Sequence, residues 1–186
     1  RPVYEKSLEY FQKAVRINEQ LGVKDPGPYL SISSTYSQLG EFFAAARNVQ
    51  KALEFQPTNA DIYGQLGIVY FRSRNYEGSI DTLKCAIRGC SGEASCLGRG
   101  LDGCAPELGP KFSAYEITGL PISPDTIVYY YTYGSVLSAL SRKADNKCGE
   151  ANQIFGEVRA ELVKNPDAYT DGYQTIVSII EAGEAI

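Results

Sequence analysis

The chain has 186 residues, 44% hydrophobic and 22% charged, with a formal net charge of −4. A chain of this length can bury one continuous hydrophobic core, and the composition indicates a soluble globular domain. The acidic balance supplies no basic patch for a phosphate backbone, which disfavours nucleic-acid binding. The apolar runs span only a few residues, whereas a membrane-spanning helix needs about 20, so we expect no membrane insertion.

The sequence leads us to expect that Arg1 is not a translation start. It contains no Met, and its first residue is Arg1. We therefore expect a processed or trimmed chain from which any signal peptide has already been removed.

The first predicted element is a helix at residues 3–17. Its apolar residues cover about half of the helix circumference, at roughly 100° per residue. They are Tyr4, Leu8, Tyr10, Phe11, Ala14 and Ile17. One neighbouring helix normally covers less than this arc, so part of it is predicted to need a further partner.

Two stretches then repeat each other at a fixed offset of 34 residues. Tyr29, Ile32, Tyr36, Phe42, Val49 and Ala52 recur as Tyr63, Leu66, Tyr70, Tyr76, Leu83 and Ala86. A period of this length is typical of stacked helical repeats. Residues 26–56 and 60–88 are each predicted to form a pair of helices.

The second copy resembles the tetratricopeptide repeat. Tyr63, Leu66, Gly67 and Tyr70 correspond to its first helix, and Ser79, Leu83 and Ala86 to its second. Pro57 closes the first copy where the family has a proline. The resemblance implies an all-α solenoid of helix-turn-helix repeats, in which residues 3–17 form a second helix without its first.

Residues 89–123 interrupt the period. They contain seven Gly, three Pro and three of the five Cys, with no helical or strand pattern. A long structureless connection inside a compact domain is unusual. We therefore expect an insertion that is held by something other than a hydrophobic core.

The cysteines are Cys85, Cys90, Cys96, Cys104 and Cys148. The chain has no His and no close Cys pair, which disfavours zinc. Disulfides fit better, each stabilising by roughly 3 kcal/mol, and they favour an oxidising, extracytoplasmic compartment. In the alternative, Cys85 is a buried thiol that acts as a small apolar residue. The odd number leaves at least one cysteine unpaired within the chain.

The repeat pattern returns after the insertion. Residues 124–163 are predicted to form a further repeat, with Tyr130, Tyr133, Gly134 and Leu137 on its first helix. Residues 167–182 resemble the first helix of another repeat and form a terminal half repeat. The chain is thus expected to be a single solenoid domain over residues 1–186.

Catalytic constellations are missing from the sequence. Without His there is no Ser-His or Cys-His pair and no imidazole proton shuttle. Gly98, Gly100 and Gly103 are not followed by the Lys-Ser/Thr of a phosphate-binding loop. We expect no enzymatic activity, no cofactor and no metal.

The resemblance implies a concave groove lined by first-helix residues that lie between the packing positions. These are Leu30, Ser34, Gln38, Asp61, Ile68, Phe71, Arg72 and Tyr131. Family members that grip a terminal carboxylate place Lys and Asn on this surface, which this chain does not. Its groove better suits an apolar or helical partner segment. In the alternative, the same residues contact the insertion.

The two ends suggest self-association. The chain begins with a second helix and ends with a first helix, so one copy supplies the half repeat that the next copy lacks. The predicted contact joins Tyr4, Leu8, Tyr10, Phe11 and Ile17 to Tyr169, Tyr173, Ile176 and Ile180. A head-to-tail contact of this kind produces a filament or a ring. Against it, the polar back of residues 167–182 is typical of a simple cap.

Two functions follow from these patterns. The first is a non-enzymatic structural subunit, secreted or at the cell surface, that self-associates through its half repeats. The alternative is a peptide-binding adaptor domain of a larger envelope or secreted protein, which captures an apolar segment in its groove.

Overall fold

The chain folds entirely into helices and connections, as a computed structural model of all 186 residues shows. The α-helices are α1 (Pro2–Leu21), α2 (Gly27–Leu39), α3 (Phe42–Phe55), α4 (Ala60–Arg72), α5 (Tyr76–Arg88), α6 (Glu93–Gly98), α7 (Ile127–Leu140), α8 (Cys148–Lys164) and α9 (Tyr173–Glu184). Three 3-10 helices lie at Pro106–Leu108, Pro110–Phe112 and Pro166–Tyr169. The predicted all-α solenoid is confirmed. No helix combines the length and hydropathy needed to cross a bilayer.

In two of the three helix pairs, α4–α5 and α7–α8, the helices pack closely because a glycine faces a large side chain. A Cβ atom added at Gly67 of α4 would lie 2.5 Å from Leu83 Cδ2 of α5. Gly134 of α7 meets the ring of Phe155 in α8 in the same way. The Ser79 hydroxyl also donates to the Gly67 carbonyl oxygen at 3.0 Å, which ties α4 to α5. The glycine of the repeat motif therefore sets the distance between paired helices.

The solenoid continues across the insertion. Helix α7 packs against both α4 and α5, and α9 packs against α7 and α8. The two ends of the insertion meet, because Cys90 and Ile117 exchange backbone hydrogen bonds of 3.1 and 2.8 Å. The insertion thus leaves the stack and returns to it at the carboxyl end of α5.

The expectation of a structureless insertion was wrong, because it contains α6 and two 3-10 helices. Disulfides join Cys85 to Cys90 and Cys96 to Cys104. Cys148 is the free cysteine. The alternative of a buried Cys85 thiol was also wrong, because its sulfur is bonded to Cys90.

A buried arginine holds the insertion against the repeats. The Arg99 guanidinium donates to the Tyr63 hydroxyl at 3.2 Å and to the Ser113 carbonyl oxygen. The Gln50 amide in α3 donates to the Arg99 carbonyl oxygen at 3.1 Å. The insertion therefore covers the side formed by the second helices, α3 and α5.

Two helix glycines give opposite expectations for substitution by alanine. Gly67→Ala places a methyl group against Leu83 and should lower the free energy of unfolding by about 1–3 kcal/mol. Gly156→Ala in α8 meets nothing within 4 Å and should raise it by up to about 1 kcal/mol through helix propensity. Urea denaturation of both variants checks this. A Gly67→Ala protein as stable as Gly156→Ala would contradict the close packing.

The cysteine pairing predicts a thiol count. Alkylation of the denatured, unreduced protein should add one label, on Cys148, and alkylation after reduction should add five. Intact mass spectrometry with peptide mapping measures both. Labels on Cys85 or Cys96 without reduction would show that the bridges do not form in the purified protein.

Candidate functional site

A groove lies between the first helices α2, α4 and α7. Its volume is about 270 Å³, and we call it the first-helix groove. Its lining residues are Leu30, Ser33, Ser34, Ser37, Gln38, Val49, Gln65, Ile68, Val69, Arg72, Val128 and Tyr129. Three successive repeats therefore contribute to one continuous surface.

The structure brings together five of the eight groove residues predicted from the sequence. Leu30, Ser34, Gln38, Ile68 and Arg72 line the first-helix groove. The other three lie elsewhere. Phe71 packs on the Tyr76 ring, with centroids 5.8 Å apart, Tyr131 is half-buried against the core, and Asp61 binds Tyr129.

Sequence reasoning missed the contribution of Tyr129, which was not among the residues predicted to line the groove. The side chain is buried, and its ring lies directly over Gly64 of α4. Its hydroxyl donates to Asp61 Oδ1 at 2.7 Å. Burial first, and then this carboxylate, raise the pKa of Tyr129, which therefore stays a neutral donor. Gly64 was the available signal, because a glycine inside a helix often marks a close approach.

The groove combines an apolar floor with one cation. Leu30, Ile68 and Val128 supply half-buried aliphatic side chains. Arg72 is the charged residue of the lining, and its Nη2 donates to the Ser37 carbonyl oxygen at 3.2 Å. Its guanidinium also lies 5.3 Å from the ring centroid of Phe42. These contacts hold a positive charge at the edge of an apolar surface.

The insertion does not cover this groove. None of its residues, 89–123, belongs to the groove lining, and it packs on α3 and α5 instead. The alternative in which the groove residues contact the insertion is therefore wrong for these five. The groove is open to a partner.

The amino-terminal helix exposes the apolar residues predicted for self-association. No residue of α1 is buried, although the helix packs on α2. Tyr4, Tyr10 and Ile17 are 38%, 65% and 45% exposed. Leu8 and Phe11 are half-buried.

The carboxy-terminal half of that predicted contact needs correction. Tyr169, Ile176 and Ile180 are buried within their own chain. Helix α9 turns Ile176 and Ile180 towards α7 and α8, and the 3-10 helix that ends at Tyr169 packs on α8. The Tyr169 hydroxyl donates to Glu161 Oε1 at 2.9 Å, and burial together with this carboxylate raises the pKa of Tyr169 to about 12. Tyr173 alone of the four is exposed. The outer face of α9 is instead formed by Gln174, Thr175, Ser178, Ile179 and Ala182.

The structure shows no cluster of metal-binding side chains. No three His, Cys, Asp or Glu side chains lie together in a way that could hold a metal ion. Four of the five cysteines are consumed by disulfides and are unavailable as thiolate ligands.

Comparison with known proteins identifies the same repeat. Residues 49–81 match the tetratricopeptide repeat family. The chain is 25% identical over 85 residues to the Hsp70-Hsp90 organizing protein of Triticum aestivum, and 30% identical over 78 residues to anaphase-promoting complex subunit 3 of Schizosaccharomyces pombe. These alignments cover 46% and 42% of the chain, but only 14% and 11% of the relatives.

Proposed function

Because this chain carries tetratricopeptide repeats, which form a protein-interaction domain, we propose that its first-helix groove binds an apolar segment of a partner protein. The open groove carries this proposal, since the insertion packs on the opposite side and leaves it free. Catalysis has no part in this role. The domain acts as an adaptor by holding a partner.

The chemistry of the groove selects the segment. One Leu-sized or Ile-sized side chain laid on Leu30, Ile68 and Val128 would contribute roughly 1.5–3 kcal/mol. The serine hydroxyls and the Gln38 and Gln65 amides would pair with polar groups of the segment. Arg72 favours an acidic residue beside the apolar one, because its charge has no carboxylate partner in the chain.

Substitution of the groove floor tests this proposal. Peptides selected from a displayed random library on the oxidised protein should carry an apolar residue next to an acidic one. Ile68→Glu should weaken their binding by about 10- to 100-fold, because it removes the apolar contact and adds a negative charge. Fluorescence anisotropy with labelled peptides measures the dissociation constants.

Val163→Glu is the matched control, because Val163 lies on α8 outside the groove lining and is 78% exposed. Its peptide affinity should stay within about twofold of the parent protein. Equal peptide affinities of the parent and Ile68→Glu proteins would show that the peptides do not bind in the first-helix groove.

Self-association is the second candidate, and the exposed face of α1 favours it. We infer that α1 of one copy packs on the outer face of α9 of the next, where Thr175, Ser178 and Ala182 are small enough for close helix packing. Such a head-to-tail contact builds a filament or a ring. The partner surface differs from the apolar one expected from sequence, because Ile176 and Ile180 already serve the core.

Sedimentation velocity over a range of concentrations tests this contact. The parent protein should form species larger than a monomer, and Tyr10→Glu should shift them towards the monomer, because it places a charge in the apolar face. Leu108→Glu, at an exposed position of the insertion, is the control and should leave the distribution unchanged. A monomer at every concentration would exclude self-association and leave α1 to another partner.

The two disulfides support a location outside the cytoplasm, because such bridges persist in oxidising compartments. We propose that the domain works in a secreted or envelope setting, where the insertion remains crosslinked.

A further inference from the structure

A second cavity lies on the opposite side of the molecule, between the carboxyl end of α3 and the insertion. Its volume is about 110 Å³, well above the roughly 15 Å³ that one water molecule requires. Leu53, Leu101 and Tyr115 form apolar walls, and Arg99 and Lys111 also line it. We call it the insertion cavity.

Arg99 is a buried cation without an anionic partner. Its side chain belongs to a residue only 5% exposed, and no carboxylate lies within salt-bridge distance of it. Neutral groups surround it: the Tyr63 hydroxyl, the Ser113 carbonyl oxygen, the Cys96 sulfur and the Tyr115 ring, whose centroid is 4.9 Å away. Buried charges are normally paired, so the absence of a counter-charge needs an explanation.

Part of the guanidinium is available to a ligand. Hydrogen bonds within the chain use Nη1 and Nη2, while Nε has no acceptor. No buried side-chain nitrogen in the structure lacks a hydrogen-bond partner, so Nε is not sealed from solvent. The Nε–H group therefore offers a free donor on a charged group.

The carboxylate of Glu54 is not the missing counter-charge of Arg99. Its oxygens pair with Lys51 Nζ at 2.9 Å and with Lys111 Nζ at 3.3 Å. Two lysines thus more than neutralise one carboxylate, and Arg99 adds a further positive charge. The neighbourhood is net positive even though Glu54 lines the cavity.

We propose that the insertion cavity binds a small monocarboxylate. Its carboxylate pairs with Arg99 Nε and Lys111, and its short apolar chain lies against Leu53, Leu101 and Tyr115. The ligand is either a free short-chain carboxylic acid or the side chain of a glutamate on a partner protein, since both present the same group. This site is separate from the first-helix groove.

A monocarboxylate fits better than a phosphate. The apolar walls suit an aliphatic stem, and Nε is the one guanidinium nitrogen of Arg99 without an acceptor in the chain. The Gln50 amide nitrogen already donates to the Tyr70 hydroxyl and the Arg99 carbonyl oxygen, so few free donors remain for a phosphate dianion. The few free hydrogen-bond donors of the cavity thus suit a ligand with a single negative charge.

Nuclear magnetic resonance titration of the oxidised protein tests the site. Sodium propionate should cause saturable shifts at the amides of Leu101 and Tyr115 and at the Arg99 Nε–H. Propionamide, which has the same shape without the charge, and sodium chloride at equal ionic strength should not. Shifts that fail to saturate, or equal responses to propionate and propionamide, would overturn the proposal.

Substitutions of charged residues test whether propionate binds in the insertion cavity. Lys111→Gln should weaken propionate binding about two- to fivefold, because this half-exposed lysine gives a screened contribution. Lys164→Gln, the same charge change at the end of α8, should have no effect. Arg99→Lys should weaken binding at least tenfold if its spectrum shows a folded protein. Equal affinities for the Lys111→Gln and Lys164→Gln variants would overturn the assignment.

A capped Ala-Glu-Ala peptide distinguishes a partner protein's glutamate from a free carboxylic acid as the ligand. Shifts at the same amides with propionate and with the peptide would support a partner's glutamate, whereas shifts with propionate alone would support a free acid. Ile68→Glu should leave propionate binding unchanged, so a failure of the groove proposal would not be mistaken for a failure of this one.

Discussion

The close contact between a glycine and a large side chain within the α4–α5 and α7–α8 pairs is the constraint on which this structure depends. Gly67 against Leu83 and Gly134 against Phe155 fix the distance between first and second helices. The two contacts are equally close, and α7 packs on α4 and α5 as the next repeat would. Because the stack continues in this way, the insertion must leave and return at one point, which the Cys90 and Ile117 backbone pair provides.

This arrangement divides the molecule into two chemically different sides. The first helices form an open apolar groove with Arg72 at its edge. The second helices carry the insertion, whose internal structure depends on disulfides and on buried polar contacts. Arg99 joins the two parts, because its guanidinium reaches the Tyr63 hydroxyl of α4. A change in the insertion would therefore reach the packing of a central repeat.

The sequence predicts the helices well where the 34-residue repeat is visible, because the apolar residues that recur at this spacing make the same helix-helix contacts in each copy. It predicts the contacts of the insertion poorly. Gly98 and Gly100 were excluded as a phosphate loop, yet in the structure they allow the backbone to approach Cys85 and Tyr70. Arg99 between them belongs to no pattern. For α9, periodicity indicates the apolar side but not which neighbour covers it, and that neighbour is the same chain.

The disulfides have a mechanical consequence. They span only 5 and 8 residues, and neither connects one helix pair to another. Oxidation therefore stiffens the insertion but leaves the solenoid without a covalent brace between repeats. A chain pulled from its two ends would lengthen as one repeat after another unfolds. The two disulfide-closed loops would then be the parts of the polypeptide that cannot extend.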